Sequence, residues 1–201
     1  MKKYLLIFLL ITNNSILKSK DFSGYCNLGF SASQVSGDNL SGFNKIGFVF
    51  GIGTKKFIYE NIYLNFEIKY VDKGSRNPKL NQNNIPQIQL TYIETPISIG
   101  VKQKKNNYTL GMSYGSLINS KEFDYYGEIN NFRPFKNHEN AVFVSFERQL
   151  KNKTFINFTL SNSFLLTPIR NHASNTSLWY NRGQYNTVLY LTIKHHIINI
   201  K

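Results

Sequence analysis

From Tyr25 onward the chain repeats one pattern about eight times: apolar residues alternate with small or polar ones at a period of two. Successive side chains on a β-strand point to opposite faces, so each repeat reads as a strand with one apolar and one polar face. Between Tyr25 and Val35, Cys26, Leu28, Phe30 and Ala32 oppose Tyr25, Asn27, Gly29, Ser31 and Ser33. Ile46, Phe48, Phe50 and Ile52 then oppose Gly47, Val49, Gly51 and Gly53. Ile62, Leu64, Phe66, Ile68 and Tyr70 oppose Tyr63, Asn65, Glu67 and Lys69, and Ile93, Thr95, Ile97, Ile99 and Val101 oppose Tyr92, Glu94, Pro96, Ser98 and Gly100.

The second half continues the scheme. Tyr108, Leu110, Met112, Tyr114 and Ile118 oppose Thr109, Gly111, Ser113 and Gly115; Val142, Val144 and Phe146 oppose Phe143, Ser145 and Glu147. Ile156, Phe158, Leu160, Phe164 and Leu166 oppose Asn157, Thr159, Ser161 and Ser163. Leu189, Leu191, Ile193 and Ile197 oppose Tyr190, Thr192, Lys194 and His196. No 3.6-residue apolar stripe and no apolar run long enough for a membrane helix interrupts this.

Alternation alone does not say which face is inside; loops and composition do. The connections Lys55–Asn61, Lys102–Asn107 and Lys151–Lys153 are short, whereas Asp72–Gln87, Asn119–Glu139 and Arg170–Gln184 are long and polar. Short turns on one rim and long loops on the other characterise bacterial outer-membrane barrels. The polar face is rich in Gly, Ser, Thr and Asn, which suits the narrow interior of eight strands. An outward ring of Phe, Leu and Ile then requires lipid to cover it, with Tyr70, Tyr108 and Tyr114 contributing to interfacial girdles. The expected fold is an all-β, eight-stranded, antiparallel up-and-down transmembrane barrel with the long loops extracellular. The competing arrangement is a soluble secreted barrel of the lipocalin kind, with the apolar face inward around a hydrophobic ligand.

The N-terminus places Lys2 and Lys3 before the apolar run Tyr4–Ile11 and a polar stretch from Thr12. That is the layout of a secretory signal peptide, and the run falls far below the ~20 residues of a membrane helix. The expected division is a leader over 1–19, cut after Ser19 (Ser15 and Ser23 are alternatives), and a barrel over 20–201. A buried N-terminal strand is the other reading of the apolar run. Cys26 is the single cysteine, which excludes an internal disulfide. Tyr25 before it is unsuited to a lipoprotein signal, leaving Cys26 as a small apolar strand residue.

The formal net charge of +13 permits anionic partners without choosing among them. No Lys/Arg run interleaved with aromatics and no zinc-finger spacing points to nucleic acid. Glu67, Lys69, Glu94, Glu147 and Lys194 all fall on the inward rows. Both signs are present, which suits a paired lumenal network filling the barrel rather than an ion relay. Pro96 on the same face suggests a bulge. Adjacent His195 and His196 point to opposite faces and do not chelate one metal together; His138 and His172 are expected in loops. Asp124, the two loop histidines and the serines supply atoms for a lipid or protein hydrolase but share no diagnostic spacing. Gly47, Gly51 and Gly53 before Lys55 lack the Gly-Lys-Ser/Thr ending of a phosphate loop. Neither catalytic residues nor a cofactor, a metal or a small-molecule substrate is assigned. The loops carry Phe123-Asp124-Tyr125-Tyr126, Phe132-Arg133-Pro134-Phe135 and Trp179-Tyr180 with Arg182, aromatic and Arg combinations enriched at recognition hot spots.

The run Tyr92-Ile93-Glu94-Thr95-Pro96-Ile97, with Tyr70 and Lys73-Gly74 upstream, resembles the PorT-type outer-membrane β-barrel (porin-family) proteins of the Bacteroidota. Their fourth strand carries a "Tyr-Leu-Glu-Ile-Pro-Val" run; Ile93 and Thr95 replace two of its members here. The resemblance implies a bacterial outer-membrane location and a family whose founding type is linked to type IX secretion. The expected role is that of a non-enzymatic structural, adhesive or secretion-accessory barrel acting through its loops, with outer-membrane lipid and envelope or secretion proteins as partners. Such barrels usually finish on an aromatic residue, whereas this chain finishes Ile197-Ile198-Asn199-Ile200-Lys201.

Overall fold

The computed structural model describes residues 22–38, 40, 42–78, 85–130, 133–172 and 183–200, with side chains through Ile197. The expected leader over 1–19 lies outside the described residues. Ten strands form one sheet: β1 (Phe22–Ser36), β2 (Lys45–Phe57), β3 (Ile62–Arg76), β4 (Gln87–Gln103), β5 (Asn106–Asp124), β6 (Gly127–Glu128), β7 (His138–Lys151), β8 (Thr154–Ser163), β9 (Arg170–Asn171) and β10 (Gly183–Ile200). Eight are long staves paired in chain order, and β10 pairs back onto β1 from Phe22↔Ile200 to Ser36↔Tyr185. The result is a closed eight-stranded antiparallel barrel. The two-residue pieces β6 and β9 pair with β5 and β10 at the long-loop end.

The apolar rows face outward. Phe30, Ile46, Phe48, Ile52, Ile97 and Met112 are all exposed, while Asn27, Ser31, Glu67, Glu94, Ser161 and Thr192 on the other rows are buried. A barrel with its apolar face inward is therefore not what this chain forms. The interior closes by matching large residues to absent ones. Tyr25 pairs with Gly53 and Tyr63 with Gly100, and a Cβ on either glycine would lie 2.4 or 2.3 Å from the opposing ring. Each tyrosine lies across its glycine into the lumen, the aromatic-over-glycine device that lets a sheet curve.

Several boundaries differ from the sequence reading because strands outrun their apolar rows. β3 continues to Arg76 and β5 to Asp124, and His138 opens β7 instead of lying in a loop. β8 ends at Ser163, so Phe164 and Leu166 lie beyond it. The bulge expected at Pro96 is elsewhere. The β4–β5 register shifts between Thr91 and Tyr92, where Leu117 and Asn119 take the facing positions and Ile118 is skipped. At Pro96 the β3–β4 pairing lapses between Phe66↔Ile97 and Lys69↔Glu94 yet resumes in the same register. A missing N–H interrupts a ladder without adding a residue.

Candidate functional site

Polar residues on inward rows of a narrow barrel have nowhere to go but toward each other, and the lumen holds two ion clusters. Toward the short turns, Glu147 accepts from Lys194 at 2.6 Å, Lys55 at 3.0 Å and the Asn107 amide at 2.9 Å. Glu67 lies beside them, accepting from Tyr25 Oη at 2.8 Å and Asn27 Nδ2 at 2.6 Å, with Lys194 at 3.9 Å. Toward the long loops, Lys73 bridges Glu94 at 2.6 Å and Glu139 at 2.7 Å. Lys69 reaches Glu94 at 3.1 Å, and Ser163 and Asn186 donate to Glu139 at 2.6 and 2.9 Å.

Aromatic faces line both clusters. The Lys73 ammonium stands 4.2 Å from the Tyr92 ring, Lys69 4.0 Å from Tyr190 and Lys55 4.3 Å from Tyr63, a second attraction for each desolvated cation. Four carboxylates face four lysines, so the lumenal charge balances. Between the clusters a cavity of about 30 Å³ remains, lined by Asn65, Ser98, Ser145 and Thr159 among others. It has room for about one water molecule.

All five residues assigned to the lumen from the sequence, Glu67, Lys69, Glu94, Glu147 and Lys194, are placed inside and joined in these clusters. Three further members were missed: Lys55, Lys73 and Glu139. Each continues the parity of its strand's inward row beyond the apolar residues, Lys55 and Lys73 after them and Glu139 before them, which was the available signal. Lys73, Tyr92 and Glu94, all from the stretches that resemble the PorT-type pattern, meet in one contact group. Gly74 beside Lys73 has φ +140, and its N–H donates to Ser33 Oγ.

Over the long-loop cluster sits an apolar cap of Val35, Ile88, Leu90, Tyr92, Phe135 and Ile169. Phe135 and Ile169 come from two different long connections, tied by Lys136 N–H donating to the Ile169 carbonyl at 2.7 Å. Arg170 lies 3.7 Å from the Phe135 ring centroid and pairs with Glu122 at 2.5 Å. Of the expected loop-recognition residues, Arg133 donates to the Asn171 carbonyl at 3.0 Å and so braces the cap. Tyr125 and Tyr126 crown the β5–β6 hairpin, where Asp124 accepts from the Tyr126 and Gly127 amides; Tyr126 is 94% exposed. Trp179, Tyr180 and Arg182 lie outside the described residues. Burial raises the pKa of Asp38, in the β1–β2 connection, against hydrogen bonds from Ser75 and Leu40 that lower it.

Of the hydrolase candidates, His138 and Asp124 are not brought together. His138 pairs with Ser116 and stacks on Tyr114, while Asp124 is eight residues further along β5, on the order of 25 Å at ~3.3 Å per residue. His195 and His196 do face opposite ways; His196 is buried against Tyr25 and Phe155. Among the described residues no group of three or more His, Cys, Asp or Glu could hold a metal.

Comparison with protein-family models and with curated proteins finds no match. Solved structures do match. Neisserial surface protein A aligns with a TM-score of 0.53 at 12% identity, covering 88% of this chain and 99% of that one. The attachment invasion locus protein Ail of Yersinia pestis aligns at 0.49 and 9% identity, covering 89% and 99%. The outer membrane protein AlkL aligns at 0.43 and 13%, covering 87% and 90%. At these identities the likeness is one of fold.

Proposed function

We propose that this chain is an integral outer-membrane barrel that works through its long loops and not through its lumen. One observation carries the reading: every stave turns an apolar row outward while the interior is filled by a charge-balanced, capped network. An outward apolar belt is stable only against lipid, and a filled eight-stranded barrel has no aqueous channel. Short turns would face the periplasm and long loops the exterior, after export through the N-terminal leader. The likeness to Neisserial surface protein A supports the architecture. The Lys73–Tyr92–Glu94 group supports kinship with PorT-type barrels, and with it a structural, adhesive or secretion-accessory role.

Cell fractionation with a gel of unheated and boiled protein tests the reading. Recovery in the outer-membrane fraction with a boiling-dependent shift in migration is expected. Recovery as a soluble periplasmic or secreted protein overturns it. Replacing Tyr125 and Tyr126 by Ser should then abolish capture of whatever envelope protein the wild type retains, with the gel shift unchanged.

A further inference from the structure

The charge left outside the lumen is divided unevenly between the two ends. At the long-loop end the described residues hold six basic side chains (Lys45, Arg76, Lys121, Arg133, Lys136, Arg170) and five acidic ones (Asp38, Asp72, Glu122, Asp124, Glu128). Pairs form there, Lys121 with Glu128 and Arg170 with Glu122. The short-turn end is different. Lys56 and Arg148 lie on outward rows near the ends of β2 and β7, the strand ends add Lys102 and Lys151 and the turns Lys104, Lys105 and Lys153, all exposed, against Glu60 alone among the described residues. Among the described residues none of these seven enters an ion pair.

Their depth is set by the strands. Arg148 stands two residues beyond Phe146 on the lipid-facing row, about 7 Å at ~3.4 Å per residue, and Phe146 packs on Tyr108 at 5.4 Å as part of the aromatic girdle. Lys56 is flanked by Phe22 and Leu64, and the Lys102 ammonium lies 5.7 Å from the Phe57 ring. Apolar stems alongside the girdle and ammonium or guanidinium heads just past it put the charge at phosphate level.

We infer that this basic collar binds the phosphates of anionic phospholipid in the leaflet around the short turns. Lysine and arginine next to an anionic leaflet are attracted to it over about a Debye length, and arginine can hold a phosphate through two parallel N–H donors. The inference rests on the membrane reading above and goes beyond it by giving the barrel a lipid preference on one side.

The test is the share of motionally restricted spin-labelled lipid around the folded full-length barrel in phosphatidylcholine vesicles. Labelled phosphatidylglycerol is compared with labelled phosphatidylcholine. Wild type should favour phosphatidylglycerol roughly five-fold, the contribution of a single Lys or Arg near an anionic surface, and lose most of that preference at 1 M salt, where the Debye length is about 3 Å. The variant K56Q/K102Q/K104G/K105Q/R148Q/K151Q/K153Q should fall to about equal association. Replacing Lys102, Lys105, Lys151 and Lys153 by Arg instead should keep the preference, as should K45Q/K121Q/K136Q at the other end. Lys104 is replaced by Gly because its φ of 54° is left-handed.

Equal association of both lipids with wild type overturns the inference, as does a preference that the long-loop variant removes and the collar variant keeps. A gel of each sample, unheated and boiled, separates the two levels. A barrel that inserts without lipid preference sinks only the collar, and a chain that never inserts sinks the membrane reading with it.

Discussion

The two lumenal clusters are inversions of each other. Toward the short turns one carboxylate, Glu147, stands between Lys55 and Lys194; toward the long loops one lysine, Lys73, stands between Glu94 and Glu139. They differ in what supports the outer members. Glu94 keeps Lys69 at 3.1 Å and Glu139 keeps the Ser163 hydroxyl and the Asn186 amide. Lys55 has Glu147 as its carboxylate, and Lys194 has only Glu67 besides, at 3.9 Å. One cluster hangs on a single residue and the other spreads its charge over several. Breaking a buried pair is damaging mainly because an uncompensated charge stays behind, so the two centres should not be equally sensitive.

Glu147→Gln strands two lysines and should show the largest loss, about 3–5 kcal/mol, read as the shift of the urea unfolding curve of the vesicle-folded barrel. Lys73→Met should lose less, about 3 kcal/mol, because both carboxylates retain other donors; an equal or greater loss would break the comparison. Adding Glu139→Gln to Lys73→Met removes one of the two freed charges. The double variant should be more stable than the sum of the singles by about 1 kcal/mol, within the usual range for coupled neighbours. Tyr25→Phe deletes the one phenol O–H that lies within reach of both Asn65 Oδ1 and Glu67 and should lower stability by about 1 kcal/mol.

Asp38, outside both clusters, should respond with the opposite sign. Burial raises its carboxyl above the ordinary 3.8, so the folded barrel holds that proton to higher pH than the unfolded chain does. Its contribution to stability therefore grows as pH falls from neutrality through the raised value and levels off below 3.8. Asp38→Asn should be neutral to slightly stabilising at pH 7 and should remove that contribution, seen as a pH 4 unfolding midpoint lower relative to pH 7 than in the wild type.

Most of the barrel wall was legible because a period of two is written residue by residue. Parity put Glu67, Lys69, Glu94, Glu147 and Lys194 on one face, and loop lengths with the small polar composition of that face turned it inward. The wall became illegible where the apolar residues stopped. Lys55 read as the start of a turn and Lys73 as the start of a loop, although both keep the parity of Gly53 and Lys69 before them. Lys73 is the more instructive loss, since the resemblance had already singled it out beside Gly74 without saying what it touches. Phe135 and Ile169 could not have been paired from sequence, because two irregular connections meeting over a barrel mouth leave no periodic trace. The skip at Ile118 was equally hidden, since both flanking segments alternate normally.

The seam between β1 and β10 has a consequence for how such a chain is made. Its first strand pairs along its whole length with its last, so the contact of longest sequence separation is also the one that closes the ring. Loop-closure entropy must be overcome before that contact rewards the chain. Until it forms, β1 and β10 are open edges ready to pair with other chains and intolerable in hydrocarbon. A chain released N-terminus first therefore cannot complete its ring strand by strand; closure waits until β10 is available to β1.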